Sequence, residues 1–242
     1  MFFLVSGEGK TDIGQCSFGQ SRCAGSKFQP GPMGLILDRL LEELINYSPL
    51  DTQALEFVSK NEITQYREKR SLHLPSKKHE METAYFFRNA YYLARMAKQK
   101  RMAENGAPVA AVLFHDADGT RSQRRGNFEL KWNAMMDGFA AEDFNHGVPM
   151  LPNPKSEAWL LCALREDRSH NCAALESTLS GNDKAPNPAK AQLEKVLAER
   201  GKTTSDLNDM IQDGSLDPGV IDMPSFHRFK NRLTSVVQDM RR

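Results

Sequence analysis

Gly106-Ala107-Pro108-Val109-Ala110-Ala111-Val112-Leu113-Phe114-His115-Asp116-Ala117-Asp118-Gly119 is the stretch whose reading decides the fold. From Pro108 to Phe114 it is a continuous apolar run of strand length, bounded by Gly106 on one side and a polar turn on the other. A strand with one wet face alternates apolar and polar residues. A continuous run signals burial on both faces, as in a parallel sheet under helices.

Working outward, Phe2 to Ser6 is a second such run, ending at Gly7-Glu8-Gly9, and Ala54-Leu55-Glu56-Phe57-Val58 and Val148-Pro149-Met150-Leu151-Pro152 supply further strands. Between them lie helical patterns. Met33, Ile36, Leu37, Leu40, Leu41, Leu44 and Ile45 recur at three- and four-residue spacing and predict a helix ending near Asn46. Residues 78–105 lack proline and stop at Gly106, residues 121–144 are amphipathic, and Ser156 is placed to cap a helix over 157–164. Residues 16–32 are small, polar and rich in Gly and Pro, which predicts a mobile loop and a candidate gate. Strands alternating with helices predict an α/β fold with a mostly parallel sheet covered by helices. After Asp167 only polar helices are expected, over 188–200, 204–212 and 225–241, so residues 1–167 read as a core and 168–242 as a helical C-terminal extension.

Lys plus Arg number 32 against 31 Asp plus Glu, so no global field draws the chain to nucleic acid or membrane, and any such contact must be local. No apolar run approaches a membrane span, and Met1 to Val5 lacks a basic leader. Cys16, Cys23, Cys162 and Cys172 form no CxxC pair. A chain of this length does not need disulfide staples, so the expectation is reduced thiols and a cytoplasmic protein.

Functional groups of an open α/β sheet collect beyond the carboxyl ends of its strands. Glu8 follows the first strand; Asp116 and Asp118 follow the strongest one, and i, i+2 residues on extended backbone point the same way, about 7 Å apart. The expectation is that all three carboxylates meet. Clustered carboxylates repel unless a cation sits between them, and an all-oxygen site suits Mg²⁺ or Mn²⁺. Such an ion polarises a phosphoryl oxygen and acidifies bound water, which is phosphodiester chemistry. Taken singly, each acid is also an ordinary turn or capping residue.

Val5-Ser6-Gly7-Glu8-Gly9-Lys10-Thr11-Asp12 resembles the first motif of the TOPRIM family, and His115-Asp116-Ala117-Asp118-Gly119 resembles its Asp-x-Asp motif, in the family's order though more than a hundred residues apart. The run Pro154-Lys155-Ser156-Glu157-Ala158-Trp159-Leu160-Leu161, and Gly181-Asn182-Asp183-Lys184 with Pro188 and Lys190, are similar to the small stand-alone relatives of OLD (overcoming lysogenisation defect) nucleases. Those proteins are encoded beside ABC- or SMC-like ATPases in bacterial phage-defence loci. The resemblance implies a Mg²⁺-dependent nuclease acting on DNA or RNA, with a separate ATPase partner. Glu8 would be a metal ligand or general acid/base, and Asp116 and Asp118 would hold the metal. Glu157 is a candidate fourth ligand, and Lys155 could neutralise charge on the phosphoryl group. Arg121, Arg124 and Arg125 follow the Asp pair and could grip flanking phosphates.

Two other readings compete. Phe114 to Thr120 also fits the Asp-x-Asp-Gly-Thr motif of a HAD-type phosphatase, with Asp116 as nucleophile, Asp118 as acid/base, and Lys155 and Asp183 as later motif residues. Against it, residues 173–179 read as helical where that fold carries a strand, and Glu8-Gly9 would have no task. The other reading is a non-catalytic scaffold or regulatory subunit of an ATPase complex. A P-loop is excluded, because position 4 of the pattern ending at Gly9-Lys10-Thr11 is Leu4 rather than glycine.

Overall fold

The computed structural model describes residues 1–68, 81–117, 128–165 and 172–242. The expected α/β architecture is present. Strands β1 (Phe2–Gly7), β2 (Gly14–Cys16), β3 (Arg22–Ala24) and β4 (Phe28–Pro30) lead into helix α1 (Pro32–Ile45), β5 (Leu55–Ser59), α2 (Lys60–Glu68) and α3 (Met81–Ala103). Then come β6 (Val109–Phe114), α4 (Phe128–Ala140), β7 (Gly147–Met150), α5 (Ser156–Ala163), α6 (Leu175–Thr178), α7 (Ala189–Glu199), α8 (Leu207–Gln212) and α9 (Pro224–Asp239).

The main sheet has the order β3-β5-β1-β6-β7, with β3 the antiparallel edge and the other four strands parallel. All six residues of β6 are buried, as its continuous apolar run requires. Alternation along the strands divides the core. Phe3, Val5, Phe57, Ala110, Val112 and Phe114 face α1, α5 and the C-terminal helices, whereas Leu4, Val58, Ala111 and Leu113 face α3 and α4. Gly7 pairs with Phe114, and a Cβ there would come within 2.7 Å of the Phe114 carbonyl oxygen, so the two strands approach closely where they end.

The helices after Asp167 belong to the same core as the sheet. Trp159 of α5 stacks on Phe229 of α9, ring centroids 5.7 Å apart, meets Phe226 edge-on, and donates its indole N–H to Ser225 Oγ at 2.9 Å. Among the described residues this part of the chain contains no strand, only an isolated bridge between Ser180 and Pro188. No described helix is long and apolar enough to cross a membrane.

Three expectations change. Residues 16–32 are not an irregular loop: β2 and β4 form an antiparallel hairpin arm, and β3 joins the main sheet. Backbone pairing thus takes up polar and glycine-rich residues that carry no hydrophobic period. The cysteines are not reduced. Cys16–Cys23 and Cys162–Cys172 are disulfides, with Cα atoms 5.7 Å apart in each pair. Their separations of 7 and 10 residues lie outside a CxxC search. Free thiols therefore no longer speak for a cytoplasmic chain. Finally, Lys155 rather than Ser156 is the capping residue of α5, in extended conformation, and Ser156 is the first residue inside the helix.

Candidate functional site

Both sequence motifs end at the carboxyl edge of the parallel sheet, but their acids leave it on opposite sides. The register that pairs Gly7 with Phe114 sets Glu8 beside His115 and leaves Asp116 one position further on. Phe114 faces α1 and α5, so His115 faces α3 and Asp116 turns back toward α5. Pairing with the β7 side continues past the strand: His115 N–H donates to Met150 O at 3.1 Å and Ala117 N–H to Pro152 O at 2.9 Å. Extended backbone thereby carries Asp116 to the start of α5.

On the α3 side, Glu8 Oε1 lies 3.1 Å from His115 Nδ1, and Lys60 Nζ donates to Glu8 Oε2 at 3.0 Å. The Tyr85 hydroxyl is 3.3 Å from the same oxygen. The His115 contact has ion-pair distance but lies off the line of a good hydrogen bond, which leaves Nδ1 without a proper partner although the ring is 1 % exposed. His115, and then Lys60, hold the Glu8 carboxyl well below the usual carboxylate range, at about 2. Tyr85 and Phe86 pack edge-on against the His115 ring, and Asn89 Nδ2 is 3.3 Å from its Nε2.

On the α5 side the groups are different. Ser156 donates its backbone N–H to Asp116 Oδ1 at 2.9 Å and its hydroxyl to Asp12 Oδ1, also at 2.9 Å; Glu157 Oε2 is 3.4 Å from the same hydroxyl. Asp12 reaches this place because the chain turns at Gly9, where φ is 87° and Asp12 N–H donates back to Gly9 O at 3.1 Å. A Cβ on Gly9 would fall 2.2 Å from Asp12 Oδ2, so glycine is required there twice over. Asp116 keeps some contact with solvent, but protein crowds its carboxylate. Burial first, then the charges of Asp12 and Glu157, push its pKa up to about 8 against the single Ser156 N–H bond and Lys155. Glu157 is raised as well, chiefly by burial. Lys155 Nζ lies 3.3 Å from Asp183 Oδ1.

Among the described residues Glu8 contacts His115 and Lys60, whereas Asp116 is linked through Ser156 to Asp12 and feels the charge of Glu157; alternation along the strands sends the two acids toward opposite faces. Asp118, Arg121, Arg124 and Arg125 lie outside the described residues. The charges of Glu157 and Lys155 both reach Asp116. Asp12 and His115 are additional: Asp12 sits inside the first quoted motif and His115 inside the second, but only register and the Gly9 turn reveal their partners. Among the described residues no three His, Cys, Asp or Glu side chains are placed to hold an ion together. The donor set around Ser156 is nevertheless all oxygen and short of positive charge, which is the chemistry that Mg²⁺ or Mn²⁺ satisfies.

Beside Glu8 opens a cleft of about 860 Å³, bounded by the hairpin arm, the end of β1 and the start of α2. Compared with known protein families, with curated proteins and with solved structures, the chain matches none.

Proposed function

We propose that the chain is a divalent-cation-dependent nuclease, hydrolysing phosphodiesters of DNA or RNA, with Asp116 as the acid that would meet the cation and Asp12 and Glu157 as the acids beside it. The observation that carries this reading is the placement of Asp116 just past a parallel-strand end, bonded to the Ser156 N–H at 2.9 Å while the Ser156 hydroxyl holds Asp12 at 2.9 Å; burial and the neighbouring acids push its pKa up to about 8. A group so placed costs stability unless something positive joins it, and such groups concentrate at working sites. When bound, the ion supplies Lewis-acid polarisation of the phosphoryl group and a more acidic water. Lys155, tethered to Asp183, stands where it can neutralise phosphoryl charge, and Ser156 holds Asp12 and Asp116 in register through its hydroxyl and its N–H. The TOPRIM resemblance supports the same chemistry and adds an ABC- or SMC-like ATPase partner and an anti-phage role.

The test is incubation of wild type and Asp116→Asn with plasmid, single-stranded DNA and total tRNA in Mg²⁺, Mn²⁺ or EDTA. The expected result is metal-dependent cleavage that falls in the variant on the order of 10²–10³-fold, the size of losing one charge-stabilising group. Wild-type protein that cuts nothing in any metal would leave the scaffold reading.

One observation favours a second reading: the Lys155–Asp183 contact lies beside Asp116, as a HAD-type phosphatase with an Asp116 nucleophile would have it. Helix α6, just ahead of Gly181 where that fold carries a strand, counts against it. Release of free phosphate from small monoesters, with polymers left intact, would decide for the phosphatase.

A further inference from the structure

The cleft beside Glu8 carries an aromatic ring that the fold holds out in water. Phe18 is 97 % exposed, yet it lines the cleft mouth. Its backbone is left-handed, φ 56°, in a short turn over residues 17–19, and an apolar side chain is not placed there by local preference. The turn is fixed at both ends. The Cys16–Cys23 disulfide closes it, Ser59 N–H donates to Ser21 O at 2.8 Å, and Ser21 Oγ donates to Glu62 Oε2 at 2.7 Å. Phe18 therefore cannot easily fold inward to escape water.

The rest of the wall is polar. Gln15 and Gln29, joined by a 3.3 Å hydrogen bond, lie with Asn61 along it, and Lys10 and Lys60 supply positive charge, Lys60 beside the Glu8 carboxylate that it holds at 3.0 Å. Carboxamides donate and accept, so they match the edges of nucleobases; lysines match phosphates; a rigid exposed ring matches the face of an unpaired base.

We propose that this cleft is the site where an unpaired stretch of nucleic acid binds, with a base stacked on Phe18, flanking phosphates at Lys10 and Lys60, and base edges against Gln15, Gln29 and Asn61. The inference takes its ligand class from the nuclease reading, but it concerns binding and needs no metal. Double-stranded ligands fit poorly, because their bases are already stacked and offer no free face. The Cys16–Cys23 bond acts in this arrangement as the brace that keeps the stacking ring presented.

The test is fluorescence anisotropy with labelled single-stranded DNA, single-stranded RNA and duplex of the same length, all in EDTA. The expected result is a single-strand preference, and a Phe18→Ala variant weakened about tenfold, within the range for loss of one base stack. Phe18→Trp should retain binding, and Met102→Ala, which removes an exposed apolar residue elsewhere, should change nothing. Lys10→Ala should flatten the slope of log affinity against log salt by about 0.7, the share of one phosphate on a single strand. The DNA and RNA arms decide which polymer is preferred. Binding indifferent to Phe18, a duplex held as tightly as a single strand, or no binding at about 100 μM, the weak end for non-specific contacts, overturns the proposal. Single-strand binding through Phe18 without cleavage in any metal would leave this inference standing and remove the nuclease reading; cleavage lost in Asp116→Asn with Phe18 irrelevant would do the reverse.

Discussion

Ser156 donates its backbone N–H to Asp116 Oδ1 at 2.9 Å, which ties the first residue of α5 to the end of β6 across forty positions of chain. Because Ser156 is the first helical residue, proline is tolerated there, and Lys155 already has the extended backbone that a following proline demands. Ser156→Pro should keep the helix by circular dichroism but remove the N–H, lowering cleavage roughly 10–100-fold, as for loss of a group that orients a metal ligand. Ser156→Ala keeps the N–H and loses only the link to Asp12, so it should be milder; equal activity of all three proteins would mean that this contact positions nothing.

Metal binding should compete with the Asp116 proton. The group holds its proton more tightly folded than unfolded, so the stability this favours is complete below its ordinary value of 3.8 and is lost as pH rises through about 8. Added Mn²⁺ should therefore raise Tm more at about pH 8.5 than at about pH 6. In EDTA at the higher pH, Asp116→Asn should melt about 3 °C above wild type, a shift that corresponds to about 1 kcal/mol in a chain of this size. Differential scanning fluorimetry reads both. A variant that melts well below wild type would show that the charge is already compensated.

Glu8 behaves in the opposite sense. Its folded pKa, about 2, lies under the ordinary 4.5, so its contribution is present above 4.5 and fades as pH falls toward 2. The side chain is 43 % exposed, and solvent screening holds this contribution to about 0.5–1 kcal/mol. Urea titrations of wild type and Glu8→Gln across that window should converge at the acid end. Curves that stay parallel would remove the His115 and Lys60 interactions as the cause.

The cysteine pairing is directly measurable. Alkylation of unfolded, unreduced protein should leave the mass unchanged, and prior reduction should add four modifications. Uptake of reagent without reduction would mean open thiols at one or both pairs.

Trp159 joins the sheet layer to α9, so Trp159→Ala should cost about 3–5 kcal/mol, the range for removing a buried aromatic ring. Because the C-terminal helices share the sheet's core, the loss should appear as one cooperative transition at lower denaturant. Two separated transitions would mean that residues 168–242 unfold independently of the sheet.

Much of the fold is legible in the chain. The apolar runs at β1 and β6 have no room for a wet face, and the stripe from Met33 to Ile45 has only helical spacing; burial alone assigns them. The hairpin arm is not legible, because its strands are held by backbone pairing and a disulfide rather than by an apolar pattern. Likewise the second quoted motif places Asp116 at a strand end but says nothing of its company. Side-chain direction alternates within a strand, whereas the side on which two strands agree depends on their register, and register is set where Gly7 meets Phe114. That tertiary pairing put Glu8 with His115, turned Asp116 toward α5, and through the turn at Gly9 delivered Asp12 to it. Linear order supplied the acids; only the packed sheet, in which a shift of one residue exchanges faces, decided which of them work together.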